Sequence, residues 1–556
     1  MLFACRRAPE ALYQFEKAAM ADSAMVATSH PLAAKVGVDM LKKGGNAVDA
    51  AIAVQFALAV VNPRAGNIGG GGFMILRETD GRAYSLDYRE KAPAAASRDM
   101  YLDSLGQPIK DISLKGALAA GVPGTVAGLW EAYQKYSKLE DWPALLEGSI
   151  ALAREGFRIT QDEADRLNRF RDAFLEISGA DFPFVKKEEW KAGDRLIQSE
   201  LANTLERISQ TGKDGFYGGP TARYIVDCMR RQNGLITRED LESYQPVWRK
   251  PVTGNYRNYR IISMPPSSSG GVALLQTLEM IEPYPIREWG AEDTRTFHLL
   301  IEAERRAYAD RAQFLGDMDY YPVPLDSLLD TAYLDERFAD FTPEKAMSSD
   351  SIRAGAFQVS IESFETTHTS VVDPAGNAVS LTTTVNSNYG SKLFVPGAGF
   401  FLNNEMDDFS KKPGVPNQFG LVGSDANAIE AGKRMLSSMT PTIIEKEGEL
   451  FMVLGSPGGP TIITSVLQTF LNVAEFGMPI DEAIARKRFH HQWLPDQVWY
   501  EKGAMDSLTQ KQLEQMGHRF VSKSALGAVK GIQVLPDGRF LGAGDPRKPD
   551  DCAKGY

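Results

Sequence analysis

A chain of 556 residues, 43% hydrophobic and 24% charged, has the composition of an ordinary globular protein and the length for one large core shared by several segments. A net charge of −11, with Lys and Arg scattered and no run of five like charges, excludes the basic face that a nucleic-acid partner requires. Three distant cysteines (Cys5, Cys228, Cys552) lack CxxC spacing, and the one adjacent histidine pair, His490-His491, lacks HExxH-type spacing, so neither a disulfide framework nor a metal enzyme is suggested.

The chain opens with Arg6, Arg7, Glu10, Glu16 and Lys17, a pattern that no intact signal peptide has, while Leu2 to Cys5 resembles the end of a bacterial lipoprotein signal. Residues 1–24 are therefore read as an extension. From a cap-like Ser29 before Pro31, the pattern predicts a helix that stops at Gly44-Gly45 and an Ala-rich helix from about Ala47. The apolar run Ala51 to Val61 is too short to span a bilayer and reads as buried helix. Next, "GNIGGGGFMIL" places Gly69 to Gly72 ahead of an apolar run. With no GK[ST] triplet and no Rossmann spacing, these glycines do not form a nucleotide loop. Close approach of backbones or substrate, and a flexible turn, both remain open. Tyr84, Leu86 and Tyr88 alternate as in a strand. Residues 120 to 320 read mainly as helix, and Met318 to Glu365, weakly periodic and rich in Pro, Ser and Asp, reads as exposed loop.

"FETTHTSVVDPAGNAVSLTTTVN", Phe364 to Asn386, predicts a hairpin around the turn Asp373 to Asn377. Its many hydroxyls fit two readings: Thr is at ease on a pleated surface, or one hydroxyl is a nucleophile and a second orients it. A Pro/Gly-rich loop over Lys411 to Asn427, the strand "ELFMVLGS" and a glycine pair opening a helix follow. No repeat of solenoid period is visible, and strands and helices in both halves predict a layered α/β domain.

A Thr hydroxyl needs a base, and a Thr at the first position of a chain supplies its own α-amine, which titrates near pH ~7.7–8.0. Thr366 is internal, so that mechanism requires cleavage between Glu365 and Thr366. The stretches "GGNAVDAAIA", "GNIGGGGFMIL", "DYREKAP", "GVPGTVAG", "TTHTSVVDPAGNAVSLTTTVN", "NNEMDDFS", "KPGVPN", "LSSMTPTI", "GSPGG" and "RFHHQWLPD" resemble, in this order, the γ-glutamyltranspeptidase (glutathione hydrolase) family over roughly Met25 to Tyr556. The resemblance implies an N-terminal-nucleophile hydrolase fold, a four-layer αββα sandwich built by both halves of the chain. It further implies self-cleavage into a large subunit, 25–365, and a small catalytic one, 366–556, which stay together as a heterodimer. By motif, Thr366 is the implied nucleophile and new N-terminus, Thr384 the Thr that orients it, and Gly458-Gly459 the oxyanion hole. The planar fork of Arg89, with Ser437 and Ser438, suits a substrate α-carboxylate, and Glu405, Asp408 and Asn386 suit its α-ammonium. Lys411 to Asn427 matches a lid loop, with Phe419 where some relatives have Tyr. Thr369, Ser380, Thr382, His490 and His491 are expected to be structural.

The implied activity is removal of the γ-glutamyl group from glutathione and its transfer to water, an amino acid or a dipeptide, with no metal or organic cofactor. A periplasmic or extracellular location, with lipid anchoring as one route, is implied by resemblance. Two other readings stand beside it: a cephalosporin acylase-like enzyme that removes a glutaryl group, and a non-processing γ-glutamyl-binding homologue.

Overall fold

Two apolar helices fix the floor on which the hairpin lies. The computed structural model describes residues 12–352, 365–411 and 424–556. Helix α1 (Pro31–Lys42) and helix α2 (Ala47–Val61) fall where the sequence puts them. The cap of α1 differs: His30 accepts the Leu32 N–H on Nδ1 at 3.2 Å, while the Ser29 hydroxyl instead meets Thr367 Oγ1 at 2.6 Å. Helix α2 starts with a capping box between Asn46 and Asp49, and all 15 of its residues are buried, as expected of a helix that is apolar all round.

Fourteen strands form two sheets. In chain order they are β1 (Ala18–Ala21), β2 (Met25–Thr28), β3 (Gly71–Arg77), β4 (Ala83–Asp87), β5 (Val247–Arg249), β6 (Val252–Tyr256) and β7 (Tyr259–Ser263). Beyond these lie β8 (Glu365–Val372), β9 (Ala378–Asn386), β10 (Thr442–Lys446), β11 (Glu449–Gly455), β12 (Lys530–Val534), β13 (Phe540–Gly544) and β14 (Cys552–Gly555). One 7-stranded sheet has the order β14-β2-β8-β9-β3-β4-β5, and the second the order β1-β13-β12-β11-β10-β7-β6. The alternation of β3 shows how they stack. Met74 and Leu76 pack with α2, whereas Phe73 and Ile75 pack against the second sheet. Helices α3 (Gly270–Ile281) and α5 (Thr461–Ala474) cover the outer face of that sheet, and α4 (Thr294–Phe314) packs on α3. The layers are therefore α, β, β, α, as expected. Each sheet interleaves strands from before and after Thr366, so cutting the chain there leaves both cores shared.

One reading holds with an addition and one needs correction. Residues 120 to 320 are mainly helical, as read, with the short strands β5, β6 and β7 among the helices. Strands of three to five residues show too few alternations to reveal a period. Within Met318 to Glu365, Leu325–Leu328 and Thr331–Phe338 are helical, and Glu365 belongs to β8. These helical turns bury only Leu328, Leu334 and Phe338, too short a pattern to read from sequence. No described helix is long and apolar enough to cross a membrane.

The glycine run is a point of close approach, not a flexible turn. A Cβ on Gly69 would lie 2.1 Å from the Phe401 carbonyl oxygen, on Gly70 2.0 Å from that of Thr384, and on Gly72 2.4 Å from that of Thr382. Backbone cannot yield as a side chain does. Gly70→Ala should therefore cost at least about 1–3 kcal/mol through strand displacement next to Thr384. Thermal melting checks this: a variant with the parent Tm would mean that β3 and β9 are less tightly apposed than described.

Candidate active site

The register of the hairpin decides which hydroxyls meet. Strand β8 pairs with β9 so that Thr366 faces Thr384, His368 faces Thr382 and Ser370 faces Ser380. Period-2 alternation puts all six on one face, the face toward the second sheet. There the Ser370 hydroxyl donates to the Val453 carbonyl at 3.3 Å, and the His368 ring fills the space beside Gly455, where a Cβ would lie 2.3 Å from it. Two residues along β8 thus correspond to two residues back along β11, so that Thr366 lies on the side of the chain that leaves β11 at Gly455. The expected structural hydroxyls are engaged: Thr369 with Thr28 at 2.8 Å, Thr382 with His368 Nδ1 at 2.8 Å, and Ser380 with the Leu454 carbonyl at 3.1 Å. Burial, reinforced by nearby Lys530, holds His368 neutral, its pKa well below the usual imidazole range.

The regular pairing breaks at one place. Glu365 is opposite Asn386 but Thr366 is opposite Thr384, so Val385 is the extra residue of a bulge at the Glu365–Thr366 bond. Asn386, at φ 73°, takes the left-handed conformation there. Its N–H donates to Thr384 Oγ1 at 2.7 Å and its Nδ2 to the Asn404 carbonyl at 2.8 Å. Its Oδ1 is buried with no hydrogen-bond partner.

Past β11 the chain turns through Ser456 to Pro460 into α5. Gly458 (φ 137°) and Gly459 (φ 56°) adopt conformations that favour glycine. Their carbonyls accept from Thr461 and Ile462, and their own N–H groups donate to no described atom. Two uncommitted amides ahead of a helix make an anion cradle.

Arg89, just past β4, is 1% exposed and surrounded by carboxyls. Nη1 is 2.7 Å from Glu405 Oε2 and 3.5 Å from Glu90 Oε2, and Nη2 is 2.5 Å from Asp408 Oδ2. The groups expected to take the two opposite charges of a substrate head thus pair with one another. Thr384 and Asp408 also lie next to Glu405, which brings this cluster beside the hairpin. One guanidinium does not balance three buried carboxyls. Burial, then the charge of Glu405, pushes Glu90 well above the ordinary carboxyl range, and burial likewise raises Glu405 against the pull of Arg89.

Ser437 and Ser438 follow directly on Met435 and Leu436, whose carbonyls accept from the Arg89 guanidinium at 3.3 and 3.4 Å. The Ser438 hydroxyl accepts from Arg311 Nη2 at 3.0 Å. Arg311, Glu90, Asn403 and Asn404 were missed by sequence reasoning. The helix α4 is expected from its sequence, but that its charged residues Glu302, Glu304, Arg305, Arg306, Asp310 and Arg311 are all buried is not. Only the adjacency of Glu90 to Arg89 within "DYREKAP" was a usable signal.

His490 and His491 are buried away from this cluster, and burial pushes them down to about 3 and about 4. A third histidine group, His298 and His518 with Glu302, brings its ligand atoms within 4.8 Å of one another. Glu302 there is ion-paired to Arg305 at 3.3 Å and Arg306 at 2.8 Å, and His298 Nδ1 is hydrogen-bonded to His518 Nε2, a donor set ill suited to a divalent cation. The lipoprotein-like residues Leu2 to Cys5, and most of the lid-like loop with Phe419, lie outside the described residues.

An αββα sandwich of this kind, with two seven-stranded sheets facing each other, is of the N-terminal-nucleophile hydrolase class. The sequence model described as Gamma-glutamyltranspeptidase matches residues 33–555, and the chain belongs to that family. It is 46% identical over 539 residues to the glutathione hydrolase proenzyme of Escherichia coli K12, covering 96% of this chain and 92% of that protein. The Helicobacter pylori γ-glutamyltranspeptidase structure superposes with TM-score 0.58 at 44% identity, over 59% of this chain and 94% of that one. The cephalosporin acylase of Bacillus halodurans superposes with TM-score 0.86 at 25% identity, over 100% and 99%.

The raised carboxyl of Glu90 gives a pH signature. In the fold it keeps its proton where the unfolded chain, at the ordinary value of 4.5, has lost it. The folded state then binds more protons, so this group's contribution makes stability fall as pH rises above that value. Glu90→Gln removes the penalty. In a Thr366→Ala background that keeps the chain in one piece, the Tm gain of Glu90→Gln should grow from about pH 5 to about pH 8. A gain independent of pH would show that Glu90 is ionised in the fold.

Proposed function

We propose that this chain is the precursor of a γ-glutamyltransferase and glutathione hydrolase, cut between Glu365 and Thr366 into subunits 1–365 and 366–556. The observation that carries the reading is the Thr366–Thr384 pairing at a bulge on the scissile bond, with Glu405 of the Arg89 cluster beside Thr384. Cleavage frees the Thr366 amine. That amine accepts the proton of the Thr366 hydroxyl as Oγ1 attacks the γ-carbonyl of the substrate, with Thr384 holding the hydroxyl in line. The oxyanion forms against the N–H groups of Gly458 and Gly459, each donor contributing about 3–4 kcal/mol to the transition state. The intermediate collapses by breaking the amide C–N bond. Cys-Gly departs with the proton, leaving a γ-glutamyl ester on Thr366. Water completes hydrolysis, and an amino acid or dipeptide amine completes transfer.

The head group suits the cluster by charge. An α-ammonium entering among Glu405, Asp408 and Asn386 supplies the missing positive charge, and an α-carboxylate takes the Arg89 fork with the Ser437 and Ser438 hydroxyls. The free carbonyl oxygen Oδ1 of Asn386 gives the ammonium a further acceptor. Family resemblance supports a periplasmic or extracellular location.

Thr366→Ala should run as one full-length band on a denaturing gel and show no turnover, whereas the parent gives a smaller band starting Thr-Thr-His-Thr. A Thr366→Ala chain still cut at this bond would remove Thr366 from its role.

The acid pair separates this reading from a glutaryl acylase. A glutaryl group has the carboxylate but not the ammonium, so Glu405 and Asp408 would be desolvated with nothing to bind. The parent should prefer γ-glutamyl anilide to glutaryl anilide by about 100-fold or more in kcat/KM, and Asp408→Asn should narrow the gap by weakening the γ-glutamyl reaction. Equal rates on the two anilides, unmoved by Asp408→Asn, would overturn the assignment.

A further inference from the structure

Arg89 is held from behind by one carboxylate. Asp87, fully buried at the end of β4, accepts the Arg89 backbone N–H on Oδ1 at 3.0 Å, with Arg434 Nε 3.3 Å from the same oxygen. Its Oδ2 accepts from Arg249 Nε at 2.8 Å and from the Ser267 hydroxyl at 3.2 Å. Ser267 then accepts the Ser437 N–H on its carbonyl at 2.9 Å, and the Ser269 hydroxyl donates to the Ser437 carbonyl at 2.7 Å. Arg434 leads directly into Met435 and Leu436, the carbonyls that receive the Arg89 guanidinium. Three stretches distant in sequence, those of Arg89, Ser267 to Ser269 and Arg434 to Ser438, therefore meet at one side chain.

We propose that Asp87 is the positioning residue for α-carboxylate recognition, setting the spacing between the Arg89 fork and the Ser437 and Ser438 hydroxyls. The proposal rests on the γ-glutamyl reading above. Asp87 has no route to a bound substrate of its own, since its oxygens are spent on Arg89, Arg249, Arg434 and Ser267. It acts by fixing where two carboxylate-binding groups stand relative to each other. A buried ion cluster retained only for stability is the competing account, and such clusters are often replaceable at little cost. The two accounts differ in substrate dependence. A positioning residue affects only substrates that carry the carboxylate, whereas a stabilising residue affects all substrates alike.

The test uses the self-processed protein with two anilides, γ-glutamyl and 4-aminobutyryl, the second lacking only the α-carboxylate. Asp87→Asn should raise KM for γ-glutamyl anilide about 10- to 100-fold with kcat little changed, as when a group behind a ligand-binding side chain is lost. KM for 4-aminobutyryl anilide should stay at the parent value, so the preference between the two collapses. If Asp87→Asn alone leaves too much buried positive charge to fold, Asp87→Asn with Arg249→Gln removes one charge of each sign and should process while showing the same selective KM rise. A parent-like KM for γ-glutamyl anilide in whichever variant processes, or an equal loss on both anilides, overturns the role of Asp87 and leaves the γ-glutamyl reading intact. A parent protein inactive on γ-glutamyl anilide removes that reading, and the role of Asp87 with it.

Discussion

The backbone pairing of β8 with β9 is the constraint on which the site depends. Register in a hairpin is discrete: a slip of one residue would turn every hydroxyl on the inner face toward α2. Here it is locked from three directions, by the Asp373 turn, by the glycines of β3 pressed against the Thr382 and Thr384 carbonyls, and by the Ser370–Val453 and Ser380–Leu454 contacts with the second sheet. Against that rigid ladder, the bulge at Glu365–Thr366 is the one irregularity. A hairpin held this firmly along its length can keep its one irregularity at a fixed position.

The second ordering influence is charge in a place without water. Arg89, Glu90, Glu405 and Asp408 all lie below the surface, where an unbalanced charge is costly. The cluster relieves its excess of carboxyls by pairing with Arg89, while burial favours the protonated form of Glu90 most of all. A zwitterionic head group offers a third means of relief, because it brings an ammonium for the acids and a carboxylate for the guanidinium together. Binding then exchanges internal pairs for pairs with the ligand rather than creating charge contacts from nothing.

Much of this was legible in the sequence, for physical reasons that differ by element. Helix α2 announced itself by fifteen residues of apolar character between two breakers, and the hairpin by alternation around a Pro-Ala-Gly turn. Thr366 and Thr384 were found by motif, and the register put them opposite each other. Strands β5, β6 and β7 escaped because each is too short to display a period. Arg311, Arg305 and Glu304 escaped because charge on a helix is ordinarily read as a solvated face. Their burial is a tertiary fact: Arg305 pairs with Asp496, Arg311 donates to the Ser269 and Ser438 hydroxyls, and Glu304 accepts the His491 N–H. Asp87 shows the limit most plainly: its neighbours in space come from three segments, and nothing in "LDYREKAP" reveals that Arg434, Arg249 and Ser267 will converge on it.

On the γ-glutamyl reading proposed above, discrimination among acyl groups falls to the same small cluster. A cephalosporin acylase superposes over the whole chain at only 25% identity, so the sandwich serves both reactions and does not choose between them. The hydroxyl nucleophile and the oxyanion cradle act on any acyl carbonyl brought to them. What remains to distinguish γ-glutamyl from glutaryl is the presence of one ammonium, some angstroms from the reacting carbon. The groups proposed to sense it, Glu405 and Asp408, sit on the short helical turn Glu405–Asp408, which is tied to the hairpin by Asn386 and to the glycine floor by Asn403. Selectivity is thus anchored to the same ladder that positions the nucleophile. Asp407, between the two sensing acids, faces the other way, to Ser113 and Lys411, and so holds the turn from behind. Moving the recognition of the head group would require moving the strand that performs the chemistry.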